Sequence, residues 1–114
     1  MERSLLVDTD VLVDYLRGHP KAVDFVGARS RRIILSSVVV AELYAGVRGD
    51  EERETLDAFV SLFRIVPVSA GIAKAGGLYK RGYGRSHGVG LADAVLAATA
   101  ELEDAELKTL NVKH

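Results

Sequence analysis

The feature that most constrains the fold is an alternation of short apolar runs with longer segments of helical periodicity. Apolar, strand-like runs occupy residues 4–7, 33–35, 65–68 and 107–110. Spacing and capping residues predict helices over 10–17, 20–28, 51–63, 70–81 and 91–102, and one that starts at Ser36 or Ser37 and stops near Gly46 or Gly49. This alternation predicts βαβ units, and therefore an α/β fold with a short parallel sheet in a three-layer α/β/α sandwich.

Length and composition limit the classes of protein that this pattern can represent. With 114 residues, of which 48% are hydrophobic, the chain predicts a single domain over 1–114 with an ordinary core. No apolar run approaches the ~20 residues that cross a bilayer, and an acid interrupts the N-terminal segment where a signal peptide is apolar, so we expect a cytoplasmic protein. The absence of cysteine excludes disulfides and thiolate metal ligands. A net charge of -1 neither requires nor excludes a nucleic-acid partner.

Asp8 is the first candidate for a functional residue. It follows the first predicted strand in LLVDTDVLVDYLRG, and sites in open α/β sheets form beyond the carboxyl ends of strands. The alternative is that Asp8 or Thr9 only caps the following helix. Asp10 is interpreted as a helper of such a site and Asp14 as a surface acid.

Two further acids stand out because each is alone in an apolar helix. Glu42, in VVVAELYAG, is expected to be buried and to need either a metal or an arginine such as Arg17 or Arg48. Asp93, in LADAVLAATA, shares its helix face with small alanines, in a helix predicted to be buried nearly all round. The structural alternative for Asp93 is a first-turn acid that stabilises the helix dipole.

Asp8, Glu42 and Asp93 come from distant segments, and one divalent cation would neutralise all three. Oxygen ligands without thiolate or an HxxxH pair favour Mg²⁺ or Mn²⁺. Such a site suits activation of water for attack on a phosphodiester, so the pattern predicts hydrolysis.

The motifs VDTDVLVDYL, VVVAELYAG, LADAVLAATA and LKTLNVKH, in this order, resemble a PIN domain, specifically the VapC-type toxins of bacterial and archaeal toxin–antitoxin pairs. The resemblance covers essentially the whole chain. It implies an α/β/α sandwich, an acidic cluster that binds Mg²⁺ or Mn²⁺, and endoribonuclease activity. It also implies a homodimer and a cognate antitoxin that covers or enters the acidic site.

The resemblance assigns the catalytic and metal-binding roles to Asp8, Glu42 and Asp93. Thr9 and Thr109 match positions where the family tends to keep a hydroxyl near the acids.

The fourth acidic position departs from the family pattern. Many members have an aspartate where this chain has Asn111, which adds no charge and puts the second metal of a two-metal mechanism in question. Asn111 is alternatively an ordinary turn residue. The printed chain stops at His114, whereas relatives usually continue with a further short segment.

Basic residues near the acids are candidates for contact with the RNA backbone. The alternative for each is a solvated surface charge. The candidates are Lys80, Arg81, Arg85 and His87, around the glycine-rich stretch 82–90, and the run Arg29, Arg31 and Arg32.

Other functions compete with the ribonuclease interpretation. DTDVL approximates the signature of haloacid-dehalogenase-type phosphatases, with Asp8 as covalent nucleophile, but position five is Leu12 and a late pair of aspartates is missing. A response-regulator receiver would need an acceptor aspartate that IVPVSAG lacks. With Asn111, the chain could also be a catalytically weak PIN domain that binds RNA or protein.

The helix after Glu42, with its apolar residues Leu56, Phe59, Val60 and Phe63, is interpreted as core, dimer face or antitoxin groove.

Overall fold

The computed structural model describes residues 2–84 and 90–109. Within them lie four strands: β1 (Leu5–Val7), β2 (Ile33–Ser36), β3 (Arg64–Val66) and β4 (Glu106–Lys108). The α-helices of the described residues are α1 (Thr9–Leu16), α2 (Pro20–Arg29), α3 (Ser37–Ala45), α4 (Gly49–Val60), α5 (Ala70–Tyr79) and α6 (Leu91–Leu102). A 3₁₀ turn, Ser30–Arg32, precedes β2, and a π-helical turn, Lys80–Gly84, follows α5. In this part of the chain no helix is long and apolar enough to cross a membrane.

Each predicted strand and helix is present, with boundaries that differ by a few residues. Strand β3 ends at Val66 rather than at residue 68. The next residue, Pro67, has no N–H to donate to a neighbouring strand. Strand β4 starts one residue earlier than predicted and ends at Lys108. Helix α1 starts at Thr9 because Asp8 serves as its N-cap.

The four strands form one parallel sheet in the order β3-β2-β1-β4. Leu6, in the centre of β1, aligns with Ile34 on one side and with Leu107 on the other. All three residues of β1 are buried, as expected for a central strand covered on both faces. The register brings the carboxyl ends of β1, β2 and β4 to one edge of the sheet.

The strand order determines which helices lie on which face. The chain steps from β1 to β2 to β3 in one direction and then returns past both to β4. Because such crossovers are right-handed, α1 to α4 cover one face and α5 and α6 cover the other. In agreement, α1 packs on α2 and α3, α3 packs on α4, and α5 packs on α6. The predicted three-layer α/β/α sandwich is therefore confirmed, and its topological switch point lies between β1 and β4.

Two serines attach α3 firmly to the sheet. Ser36 is buried at the end of β2, and its hydroxyl oxygen accepts a hydrogen bond from the N–H of Val38 at 3.1 Å, which caps the helix. The Ser37 hydroxyl oxygen accepts from the N–H of Val68 at 3.0 Å, just after β3. Helix α3 carries Glu42, so these bonds fix the start of the element that presents this acid.

The amino end of the sheet carries a set of ion pairs. Arg32 lies 3.6 Å from Glu2 and 3.9 Å from Glu106, and Arg3 lies 3.7 Å from Asp104. The partners of Arg32 and the Arg3–Asp104 pair are exposed to solvent, so each of these pairs contributes little to stability. They connect the segments that enter β1, β2 and β4 at the edge opposite to Asp8.

Candidate active site

Asp8 is held by three hydrogen bonds at the switch point. Its backbone N–H donates to the carbonyl of Lys108 at 2.9 Å, which extends the pairing of β1 with β4. Its carboxylate oxygen Oδ1 accepts from the N–H of Thr9 at 2.6 Å, as an N-cap of α1. The Thr109 hydroxyl also donates to the Asp8 carboxylate. Capping, offered above as the alternative to a site role, is therefore present, and it also orients the carboxylate.

A cavity of about 190 Å³ opens beside this carboxylate. It is lined by Asp8, Asp93, Leu96, Leu107 and Thr109. The aspartates thus come together from the end of β1 and the first turn of α6, at the position that the strand order predicts for a site. The two leucines form an apolar wall, which strengthens electrostatic interactions at the acids.

The environment of Asp8 disfavours its negative charge. Burial raises the pKa of the Asp8 carboxyl above its ordinary value of 3.8, and the charges of Asp10 and Asp93 add to this rise. The hydrogen bonds from Thr9 and Thr109 act in the opposite direction and lower the pKa. Functional sites typically contain a titratable group whose pKa is shifted by burial and by a neighbouring like charge inside a cavity.

Glu42 reaches the same region from α3, but it is exposed, so the expectation of a buried carboxylate is wrong. The Thr9 hydroxyl donates to Glu42 Oε1 at 2.5 Å. Among the described ion pairs none involves Glu42, and the arginines considered above as partners, Arg17 and Arg48, instead share a separate groove with it. Helix α3 is apolar on most sides but buries only Val39 and Leu43, so its sequence does not reveal which side faces inward.

Asp93 is also exposed, in the first turn of α6. The prediction that this helix is buried nearly all round is wrong at its ends, because Leu91 and Leu102 are 59% and 58% exposed. A first-turn acid stabilises the helix dipole, so Asp93 has a structural role besides its place in the cavity.

The donor set of the cavity suits a hard divalent cation. Within the described residues, 2–84 and 90–109, no three acidic or histidine side chains lie close enough together to bind a metal ion by themselves. Two carboxylates and a hydroxyl nevertheless match Mg²⁺, which binds through one or two carboxylates and keeps several waters. The raised pKa of Asp8 is consistent with a site that a cation would stabilise.

The basic candidates fall into separate places. Arg29 lies 4.6 Å over the ring of Phe25, and Arg32 forms ion pairs, both just before β2 at the amino end of the sheet. These contacts favour a structural role for Arg29 and Arg32 over contact with the RNA backbone. Lys80 and Arg81 start the π-helical turn after α5, where Arg81 is exposed. Arg85, His87, Asn111 and His114 lie outside the described residues.

A second concave surface adjoins Glu42. This groove, of about 530 Å³, lies between α1, α3 and α4 and is lined by Val13, Leu16, Arg17, Glu42, Leu43, Gly46, Val47, Arg48, Glu51, Glu52, Thr55 and Leu56. Of the α4 residues singled out in the sequence, Leu56 and Phe59 are buried, and Leu56 also lines the groove. The contribution of α1 to this groove was not predicted from the sequence, although Val13 and Leu16 have the spacing of a helix face.

A parallel sheet between two helix layers, with carboxylates at the switch point, defines an α/β/α protein with an acidic site. The family model described as "PIN domain" matches residues 5–112. Ribonuclease VapC10 of Mycobacterium tuberculosis is 45% identical over 113 residues, which cover 96% of this chain and 84% of that protein. Ribonuclease VapC19 of the same organism is 41% identical, with 96% and 90% covered.

A comparison with solved structures leads to the same family. A toxin–antitoxin complex from Klebsiella pneumoniae contains a chain that matches with a TM-score of 0.84 at 28% identity, covering 96% of this chain and 88% of that one. This chain therefore belongs to the PIN domain family. That membership removes the reason to consider a haloacid-dehalogenase-type phosphatase or a receiver domain.

Proposed function

We propose that this protein is a metal-dependent endoribonuclease and the toxin of a toxin–antitoxin pair. The observation that carries the proposal is the meeting of Asp8 and Asp93 in one cavity at the switch point of a PIN fold. The similarity to two VapC ribonucleases supports RNA as the substrate.

Asp8, Asp93 and Glu42 are the residues proposed to hold Mg²⁺ or Mn²⁺, directly or through water. Asp8 and Asp93 already share the cavity, and Glu42 is connected to Asp8 through Thr9. A bound divalent ion supplies Lewis acidity, which makes water a better nucleophile and neutralises charge that develops on the phosphate.

The protein groups have separate tasks in the cleavage. The Thr109 hydroxyl and the Thr9 N–H fix the orientation of the Asp8 carboxylate. Glu42, which the cavity does not enclose, is the acceptor that orients the attacking water toward phosphorus. Leu96 and Leu107 exclude bulk water from one side of the acids.

The substrate backbone is proposed to contact the basic residues between α5 and α6. Arg81 is exposed there, and Lys80, Arg85 and His87 complete the set inferred from the sequence. Phosphate contacts of this kind give affinity without sequence preference, because RNA specificity depends on shape and on unstacked bases.

An antitoxin is the proposed protein partner, because the solved relatives include toxin–antitoxin complexes. The groove between α1, α3 and α4 is the surface proposed to receive it. Its wall combines the apolar Leu16 and Leu56 with acidic and basic residues of both signs, which suits an amphipathic segment that carries charges of both signs. Such a pair would act in the cytoplasm.

A homodimer is proposed from the family resemblance. Leu78, Tyr79 and Leu91 are exposed apolar side chains on α5 and α6 that a second copy could cover. Light scattering of the purified protein measures the oligomeric state directly.

Cleavage of a structured RNA pool tests the proposed function. The purified protein is incubated with Mg²⁺ or Mn²⁺, beside a chelator control and an Asp8→Asn variant. Cleavage that needs metal and is lost in the variant is expected. No cleavage by a folded wild type that still binds RNA or a partner would favour the catalytically weak PIN domain that Asn111 suggests, and Asn111→Asp would then test the fourth position.

A further inference from the structure

Thr9 is bonded to two of the three acids at once. Its backbone N–H donates to Asp8 Oδ1 at 2.6 Å, and its hydroxyl donates to Glu42 Oε1 at 2.5 Å. The first bond lies within the turn that starts α1, whereas the second crosses from α1 to α3. Thr9 is therefore the shortest described connection between the end of β1 and Glu42.

The two partners of the Thr9–Glu42 bond differ in rigidity. Thr9 is β-branched and begins a capped helix, so its hydroxyl has few rotamers available. Glu42 is exposed and unbranched, and a free glutamate of this kind samples many rotamers. The bond thus transfers the order of α1 to the Glu42 carboxylate.

Glu42 has competing partners close by. It lines the groove between α1, α3 and α4 together with Arg17 and Arg48. Opposite charges attract, so without the Thr9 hydroxyl these arginines would favour Glu42 rotamers directed into the groove. The hydroxyl engages Oε1 of Glu42 in place of these partners.

We propose that Thr9 is a positioning residue that holds Glu42 at the acidic site and away from the groove. This inference rests on the proposed ribonuclease function and specifies how one of its acids is placed. The Thr9 hydroxyl donates to Glu42, whereas its backbone N–H donates to Asp8, so the effect of the hydroxyl on cleavage is expected to pass through Glu42.

The test compares Thr9→Val, which keeps the shape and removes the hydroxyl, with Thr9→Ser, which keeps the hydroxyl. Each is made alone and combined with Glu42→Gln. Steady-state RNA cleavage gives kcat and KM, and Mn²⁺ alone, titrated by electron paramagnetic resonance, gives metal affinity without substrate. Circular dichroism confirms that each variant is folded.

Thr9→Val is expected to lower kcat or Mn²⁺ affinity by ~10–100-fold, the range typical of groups that orient metal ligands, with KM little changed. Thr9→Ser should recover most of the loss. On the Glu42→Gln background, Thr9→Val should cause no further loss, because both changes disable the same carboxylate.

Three results would overturn the positioning role: unchanged cleavage and Mn²⁺ affinity in Thr9→Val, no recovery in Thr9→Ser, or losses that add on the Glu42→Gln background. A wild type that binds no Mn²⁺ would also overturn it. If RNA is not cut but Mn²⁺ affinity shows the coupling of Thr9 with Glu42, the ribonuclease proposal fails and the positioning role stands.

Discussion

Gly76 of α5 lies directly against Val95 of α6. A Cβ built on Gly76 would lie 2.9 Å from both Cα and Cγ2 of Val95, closer than side chains approach backbone in folded proteins. Val95 is on the helix turn that carries Asp93, so this close approach sets the distance of that acid from the end of β1. The absent side chain at Gly76 is thus part of the geometry of the site.

Gly76→Ala should therefore destabilise the protein by ~1–3 kcal/mol, since the added methyl group overpacks the contact between α5 and α6. The matched control is Gly77→Ala in the same helix, where a Cβ would meet nothing within 4 Å. That change should stabilise by up to ~1 kcal/mol through higher helix propensity. Urea denaturation measures both, and equal effects of the two variants would contradict the packing argument.

Asp8→Asn should raise the melting temperature of the metal-free protein at neutral pH, although it abolishes cleavage. The folded pKa of Asp8 is raised, mainly by burial, so ionised Asp8 lowers stability above that pKa. The penalty disappears as pH falls through the folded pKa toward the ordinary value of 3.8. Asparagine is as good an N-cap as aspartate, so the cap is kept.

Thermal melts from pH 7 down to pH 4 check this prediction. The advantage of Asp8→Asn should be largest at pH 7 and shrink as the pH falls. An advantage that stays constant with pH would show that the charge of Asp8 is not its source.

Added Mg²⁺ or Mn²⁺ should stabilise the wild type against heat, because an ion that binds only the folded state shifts the unfolding equilibrium. Asp93→Asn should reduce this stabilisation strongly. Asp24→Asn, which removes an exposed acid of α2, should leave it intact. Differential scanning fluorimetry at several metal concentrations separates the variants, and an equal response of both aspartate variants would argue against a site at Asp93.

Arg81→Ala should weaken RNA binding and raise KM with little change in kcat, because Arg81 is proposed to contact phosphate and not the reacting atoms. Loss of one phosphate contact should also reduce the dependence of log affinity on log salt by about one unit. Arg31→Ala is the control, since Arg31 is exposed beside β2 at the opposite edge of the sheet. Filter binding at a series of salt concentrations tests the pair, and equal losses in both would point to non-specific charge.

Most of the architecture was predictable because strand and helix periodicities differ clearly in this sequence. The four strands, the parallel sheet and the position of Asp8 after β1 all follow from local patterns. The neighbourhood of Asp8 does not follow from local patterns, because Thr109 and Asp93 reach it only through the return of the chain to β4. Asp93 was expected there from the need to neutralise isolated acids, and Thr109 from the family resemblance.

The burial of Glu42 and of the helix that carries Asp93 was predicted wrongly for one reason. When a helix is apolar on most sides, its sequence does not indicate which side is packed, and α3 turns Glu42 outward. Its partner was equally hidden, because a hydrogen bond from Thr9 leaves no pattern that distinguishes it from a pairing with Arg17 or Arg48. Contacts between side chains of different elements depend on packing that local periodicity does not encode.

The most direct test of a metal site at Asp8 and Asp93 is RNA cleavage measured while Mn²⁺ is titrated, for the wild type, Asp93→Asn and the control Asp24→Asn. We expect the wild type and Asp24→Asn to cut RNA with the same metal dependence and chelation to stop both. Asp93→Asn should need at least ~10-fold more Mn²⁺ or lose cleavage altogether. Cleavage that persists in chelator, or an Asp93→Asn curve that coincides with the wild type, would contradict a metal-dependent site built on Asp8 and Asp93.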